Sequence, residues 1–296
     1  MPSRAQSYVN LITAVALCVV AGYLGVLVLI WLFQERVVFQ PPGVPPQLVT
    51  QAKKIPYRTD DGVDLFAYVV GECLSGTTVL LAFHGNADLA AWLVPWAQDV
   101  ARSADVCVVL PEYRGYDGLR GPPTYDGSRH DANAALKYVR DSLGASRDNL
   151  VYFGHSLGSA VAAELAASDP PRSLILQSPF SSANDMSRRY LFVAPSFVLS
   201  RISRVHYNTV ARVAALSAPV WVAHGEQDVI VPVSMGRAVF AAAREKGELL
   251  VLRNAGHNDV ERAGGAEYAA WLRRAIGPSE ARDATADAPA RTRSEP

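Results

Sequence analysis

A serine, an aspartate and a histidine in this chain are spaced as nucleophilic chemistry requires. Ser156 lies in Gly154-His155-Ser156-Leu157-Gly158, between the apolar run "NLVYF" and the small-residue stretch "SAVAAELA". A serine hydroxyl attacks a carbonyl only when a base takes its proton, and the base works best when an acid orients it. Asp228, in "VAHGEQDVIVP", and His257, in "NAGHND", follow Ser156 in the chain, each in a loop that a glycine opens. The oxygen of an attacked carbonyl gathers negative charge and needs donors. The backbone N–H groups of Leu157, at a helix start, and of Asn86, in "FHGNAD", are the candidate pair, although Asn86 or Asp88 would also suit a helix cap.

Other residues of the same types have plainer readings. His155 adjoins Ser156 on a tight turn, where successive side chains point apart, and reads as a packing or gating residue. His84 and His224 precede glycines at strand ends and read as local hydrogen-bonding groups, while His130 and His206 read as surface residues. Glu226 and Asp259, each two residues from Asp228 or His257, are rival acids. None of these groups has the spacing of a metal site, so neither a metal nor another cofactor is expected.

Such residues act together only if the elements between them bring them to one place. "TTVLLAFHG", "DVCVVL", "NLVYFG", "SLILQS", "PVWVAHG" and "ELLVLR" are continuous apolar runs, the pattern of strands buried on both faces. Helical stretches alternate with them, at 88–102, 128–143, 158–167, 234–246 and 267–276. "KIPYRTDDGVDLFAYVV" reads as a hairpin turning at Asp60-Asp61-Gly62. The pattern predicts an α/β fold, a mostly parallel twisted sheet with helices on both faces. Function in such sheets collects at the carboxyl ends of the strands. Ser156, Asp228, His257 and Asn86 each follow a different strand.

The remaining sequence bounds where the chemistry takes place. The chain has 296 residues, half of them hydrophobic, enough for one full domain with appendages. Lys plus Arg and Asp plus Glu stand at 28 each, so no overall positive field points to a nucleic-acid partner. Leu11 to Phe33 carries no charge, and as a helix it covers roughly 35 Å, enough to span a bilayer. One transmembrane anchor at 11–33 is therefore expected, after an N-terminal flank at 1–10. Arg4 precedes the span, and Glu35 and Arg36 nearly cancel after it, which favours the N-terminus in the cytoplasm and the domain outside the cell membrane. A proline-rich linker at 34–52 and a disordered tail at 278–296 would flank a domain at 53–277. Three cysteines are too few for a disulfide framework, and Cys107 reads as a small buried apolar residue.

"FHGNAD", "PEYRGYDGLRGPPTYDG", "GHSLGSAVAAELA", "SPFSS", "APVWVAHGEQDVIVP" and "NAGHND" together resemble the α/β-hydrolase superfamily. They are closer to its single-span, membrane-anchored group, which includes animal protein depalmitoylases and bacterial hydrolases. The resemblance covers nearly all of Lys53 to Ile276. It implies the α/β-hydrolase fold, catalysis by Ser156, Asp228 and His257, and an oxyanion hole at the Asn86 and Leu157 amides. Asp117 stands where the group usually has glycine, and Thr124-Tyr125 where it has a serine-glutamate pair, so substrate preference does not carry over. Between the sixth and seventh strands, the residues at about 181–215 are rich in aromatic and aliphatic side chains and read either as a small cap suited to an acyl chain or as a crossover helix. The function implied is hydrolysis of ester or thioester bonds of small-molecule or lipid-like acyl substrates. A serine peptidase of the same fold and a non-catalytic, membrane-tethered binding protein are the alternatives.

Overall fold

The computed structural model describes residues 3–43, 52–190 and 195–277. The expected disordered tail, residues 44–51 of the proline-rich linker and the apolar cap residues Leu191, Phe192 and Val193 lie outside these. Eight strands form one sheet: β1 (Lys53–Arg58), β2 (Asp64–Val70), β3 (Val79–Phe83), β4 (Cys107–Pro111), β5 (Leu150–His155), β6 (Ser173–Gln177), β7 (Val220–Gly225) and β8 (Lys246–Leu252). Their order is β1-β2-β4-β3-β5-β6-β7-β8, with antiparallel pairing at β1–β2 and β2–β4 and parallel pairing from β4 onward. The central strands β3, β4, β5 and β6 are almost wholly buried, as their unbroken apolar runs require.

Helices cover both faces of the sheet. On one side lie α3 (Tyr125–Leu143), α4 (Leu157–Ser168), α7 (Thr209–Ala215) and α8 (Val233–Ala242); on the other lie α2 (Val94–Ala104) and α9 (Val260–Ile276). α9 starts before its expected residue 267 because a first helical stretch from Val260 precedes a kink at Gly265, φ 46°, after which the helix resumes. α8 ends at Ala242, short of 246, where β8 begins. The 181–215 segment answers to both of its readings. α5 (Ala183–Tyr190) and α6 (Ser196–Ile202) are the insertion, whereas α7 packs on α4 and α8 as a crossover helix.

Arg114 explains one of the quoted motifs. Buried in "PEYRGYDG", its guanidinium binds Asp61 in the β1–β2 turn at 2.7 and 3.0 Å and Asp131 of α3 at 2.8 Å, and its own N–H donates to Asp131 at 2.9 Å. This motif residue holds the hairpin to the sheet and touches no candidate catalytic group.

Two expectations need correcting. Cys107 is buried, but it is bonded to Cys73. Cys73 follows β2 and Cys107 begins β4, and the sheet order makes those strands neighbours, with the Cα atoms 5.0 Å apart. The N-terminal helix α1 runs from Arg4 to Val38, so it takes in part of the flank and the first residues of the expected linker. No helix breaker follows Phe33 before Pro41, and the side chains of the last turns bind the domain. α1 is the one helix among the described residues long and apolar enough to cross a membrane.

Candidate functional site

The turn at Ser156 is built by small residues. β5 runs into α4 through Ser156 itself, whose φ of 52° and ψ of −114° lie outside the regions an ordinary side chain prefers. Holding that conformation requires strand and helix to pass closely. A Cβ at Gly154 would overlap the Gly158 carbonyl, and one at Gly158 would overlap the Phe83 carbonyl, so both positions must be glycine. The N–H of Ser156 donates to the Gln177 carbonyl at 2.9 Å, pinning the turn to the end of β6.

Distant loops converge on this serine. His257 Nε2 lies 2.8 Å from Ser156 Oγ, and His257 Nδ1 lies 2.6 Å from Asp228 Oδ2. The other oxygen of Asp228 accepts the N–H groups of Ile230 and Val231 at 2.9 and 2.8 Å, which fixes the carboxylate plane. Burial opposes ionisation of Asp228, but bonds from His224, His257 and Val231 outweigh it and hold the carboxyl well below the usual range. The aspartate therefore stays charged and faces an imidazole N–H. The rival acids do not compete, since Glu226 is exposed and Asp259 accepts the Gly256 N–H at 2.6 Å.

The candidate oxyanion donors flank Ser156. Leu157 is the first residue of α4, so its N–H has no intrahelical acceptor. His84 Nδ1 bonds the Gly85 carbonyl at 2.8 Å, and the planar trans peptide then turns the following Asn86 N–H the opposite way. Gly85 itself lies against the serine, where an added Cβ would stand 3.6 Å from Ser156 Cβ. His84 is in turn held by Glu112 at 2.8 Å. Burial alone would lower the His84 pKa, but the Glu112 carboxylate raises it. The Asn86 side chain does not cap the helix that follows it: it donates to the Val38 carbonyl at the end of α1 at 2.6 Å and accepts from Gln40 N–H at 2.8 Å and Tyr116 O–H at 2.9 Å. Asp88 accepts the Leu89 N–H at 2.8 Å, and neither the short helical turn Ala90–Leu93 nor α2 after it has a side-chain cap, so the expected cap is made by neither residue.

The comparisons agree with this architecture. A family model described as the alpha/beta hydrolase fold matches residues 78–202. The uncharacterized protein Rv2307c of Mycobacterium tuberculosis is 32% identical over 242 residues, covering 80% of this chain and 85% of its own length. This chain belongs to the α/β-hydrolase family. Alpha/beta hydrolase domain-containing protein 17B of Homo sapiens is 27% identical over 209 residues, covering 69% of this chain and 68% of its own. Among solved structures, the esterase Pf2001 of Pyrococcus furiosus superposes with a TM-score of 0.64 at 18% identity, over 80% of this chain and 99% of that one.

Two residues of this α/β-hydrolase site carry more than the sequence indicated. His224, read as a local hydrogen-bonding group, places Nε2 3.2 Å from Asp228 Oδ2 and 2.9 Å from the Val231 carbonyl, so it contacts the same carboxylate oxygen as His257. Its spacing of four from Asp228 was the available signal. His155 packs its ring 5.3 Å from that of His257 and bonds the His257 carbonyl at 3.2 Å. Burial, reinforced by His257, lowers its pKa from 6.5 to about 4. Between those values the unfolded chain binds more protons than the folded one, so stability rises with pH through that window. The ring is only partly shielded from water, and we expect acidification from about pH 6.5 to about pH 4 to remove about 2 kcal/mol through this group. Urea unfolding across that range should show the loss in wild type, and His155→Gln should flatten it.

Proposed function

We propose that this chain is a membrane-anchored serine hydrolase that cleaves carboxylic ester or thioester bonds of acyl substrates. The hydrogen-bonded series Ser156 Oγ, His257 and Asp228, at 2.8 and 2.6 Å, carries the reading. Ser156 Oγ attacks the acyl carbon as His257 Nε2 takes its proton, and the carbonyl π pair moves onto oxygen, facing the Asn86 and Leu157 N–H groups. Collapse expels the alcohol or thiol, which leaves with the proton from His257. A water molecule, deprotonated by the same imidazole, then attacks the acyl-enzyme, releasing the acid and restoring Ser156. Asp228 keeps the Nδ1 proton in place and stabilises the imidazolium. That the solved structure of similar fold from Pyrococcus furiosus is named an esterase supports the bond class.

α1 supplies the anchor. The Cys73–Cys107 disulfide belongs to an oxidising compartment and supports an extracytoplasmic domain, as the charges around the span do.

Labelling of the full-length protein with a fluorophosphonate, followed by peptide mass spectrometry, tests the chemistry. The expected result is one adduct on Ser156, with turnover of p-nitrophenyl esters and acyl thioesters. Turnover of aminoacyl amides alone would reassign the site to a peptidase. A folded protein with neither adduct nor turnover would be a tethered binding protein.

A further inference from the structure

The last turns of α1 do more than lead from the membrane to the domain. Leu29, Ile30 and Phe33 face Ala183, Leu199 and Ile202 of α5 and α6 across an apolar groove of about 320 Å³. Polar contacts hold its two walls together. Gln34 accepts the Arg204 N–H at 2.7 Å and donates to the Ile202 carbonyl at 3.1 Å, and Glu35 pairs with Arg204 at 2.9 Å. A helix serving only as a tether would need none of these.

One end of the groove lies one hydrogen bond away from a candidate oxyanion residue. Val38 lines it, and the Val38 carbonyl accepts from the side chain of Asn86, whose backbone N–H is the candidate oxyanion donor. The other end runs onto the span. Leu29 and Ile30 belong to the uncharged run Leu11 to Phe33, and the Arg204 guanidinium sits 5.7 Å from the Trp31 ring, a pair suited to the level of the lipid headgroups. Leu29 to Val38 covers about 14 Å of helix, comparable with the chain of a fatty acyl group.

We propose that this groove holds the long acyl chain of the substrate and admits it from the hydrocarbon layer along α1. The inference rests on the acyl-ester reading above and gives it a substrate class: lipids or lipidated molecules whose acyl chain is already in the bilayer. A chain that slides from lipid into the groove keeps apolar surroundings throughout. A path through water would cost free energy for every methylene exposed.

The test uses the full-length protein in lipid nanodiscs. Ser187→Trp fills the groove from α5, and Ile30→Trp fills it from α1, where a larger apolar residue suits a lipid-facing helix. Arg188→Gln, on α5 outside the groove, is the control. Each filling variant should lower the ratio of palmitate to butyrate ester turnover at least about tenfold, the effect of losing burial of two methylenes. The control should keep the wild-type ratio. In parallel, a diazirine-bearing palmitate should cross-link to residues 29–38, 183–187 and 199–205 of the Ser156→Ala protein, and adding Ser187→Trp should abolish the adducts at 183–187 and 199–205. Cross-linking that responds to Ser187→Trp, when the protein with Ser156 intact turns over no ester, would keep the groove and remove the hydrolase reading. Ester turnover with neither the ratio nor the cross-linking altered would overturn the groove and leave the hydrolase.

Discussion

Replacing Ser156 by alanine is expected to lower kcat on an acyl ester on the order of 10⁶-fold, the scale seen when the nucleophile of a serine triad is removed. The step that disappears is bond formation between Oγ and the acyl carbon, and among the described residues no other hydroxyl is hydrogen-bonded to His257 Nε2. Ser159, the nearest in sequence, spends its hydroxyl on the Ser156 carbonyl. Residual activity should come from the Asn86 and Leu157 amides acting on direct attack by water. Alanine accepts the positive φ of 52° no worse than serine does, and the turn's N–H bond to Gln177 does not involve the side chain. The melting temperature should therefore hold while the rate collapses. Steady-state kinetics beside thermal unfolding separates the two, and a loss of less than tenfold with a normal melting temperature would mean that Ser156 is not the nucleophile.

The parts of this site legible in the sequence are those dictated by local chemistry. An unbroken apolar run such as "NLVYFG" can be buried on both faces only as an inner strand, and β5 is one. Glycines at 154 and 158 flank a turn too tight for side chains, so the conformation of Ser156 was implicit in its neighbours. What stayed hidden depends on which strands lie side by side. Cys73 and Cys107 meet because β3 adds to the far side of β4 and leaves β4 beside β2, an order that spacing along the chain does not encode. The end of α1 was equally hidden. An uncharged run defines where a span must be apolar, not where its helix stops, and Gln34 and Glu35 extend it by binding a loop some 170 residues away in the chain. The reach of Asn86 back to Val38 belongs with these, since it exists only once α1 is docked.

Asp228→Asn should cost about 10⁴-fold in kcat, although it changes one oxygen to nitrogen. The geometry around the residue dictates the size of the effect. The Ile230 and Val231 N–H groups both donate to Oδ1, at 2.9 and 2.8 Å, so the asparagine carbonyl would be drawn to that position. Its NH₂ would then replace Oδ2, 2.6 Å from His257 Nδ1. Two donors cannot face each other, so the imidazole would give up its Nδ1 proton and carry one on Nε2 instead. Nε2 would then be a donor toward Ser156 Oγ, 2.8 Å away, and unable to accept its proton. The side chain would occupy the same space, the triad would remain assembled, and the base would be in the wrong tautomer. The buried charge that His224 also contacts at 3.2 Å would be lost as well, removing stabilisation of the imidazolium formed during attack. Fluorophosphonate labelling rates for wild type and Asp228→Asn report the acylation step directly and should differ by the same order. Equal rates would show that His257 does not depend on Asp228 for its tautomer, and the acid would have to be sought elsewhere.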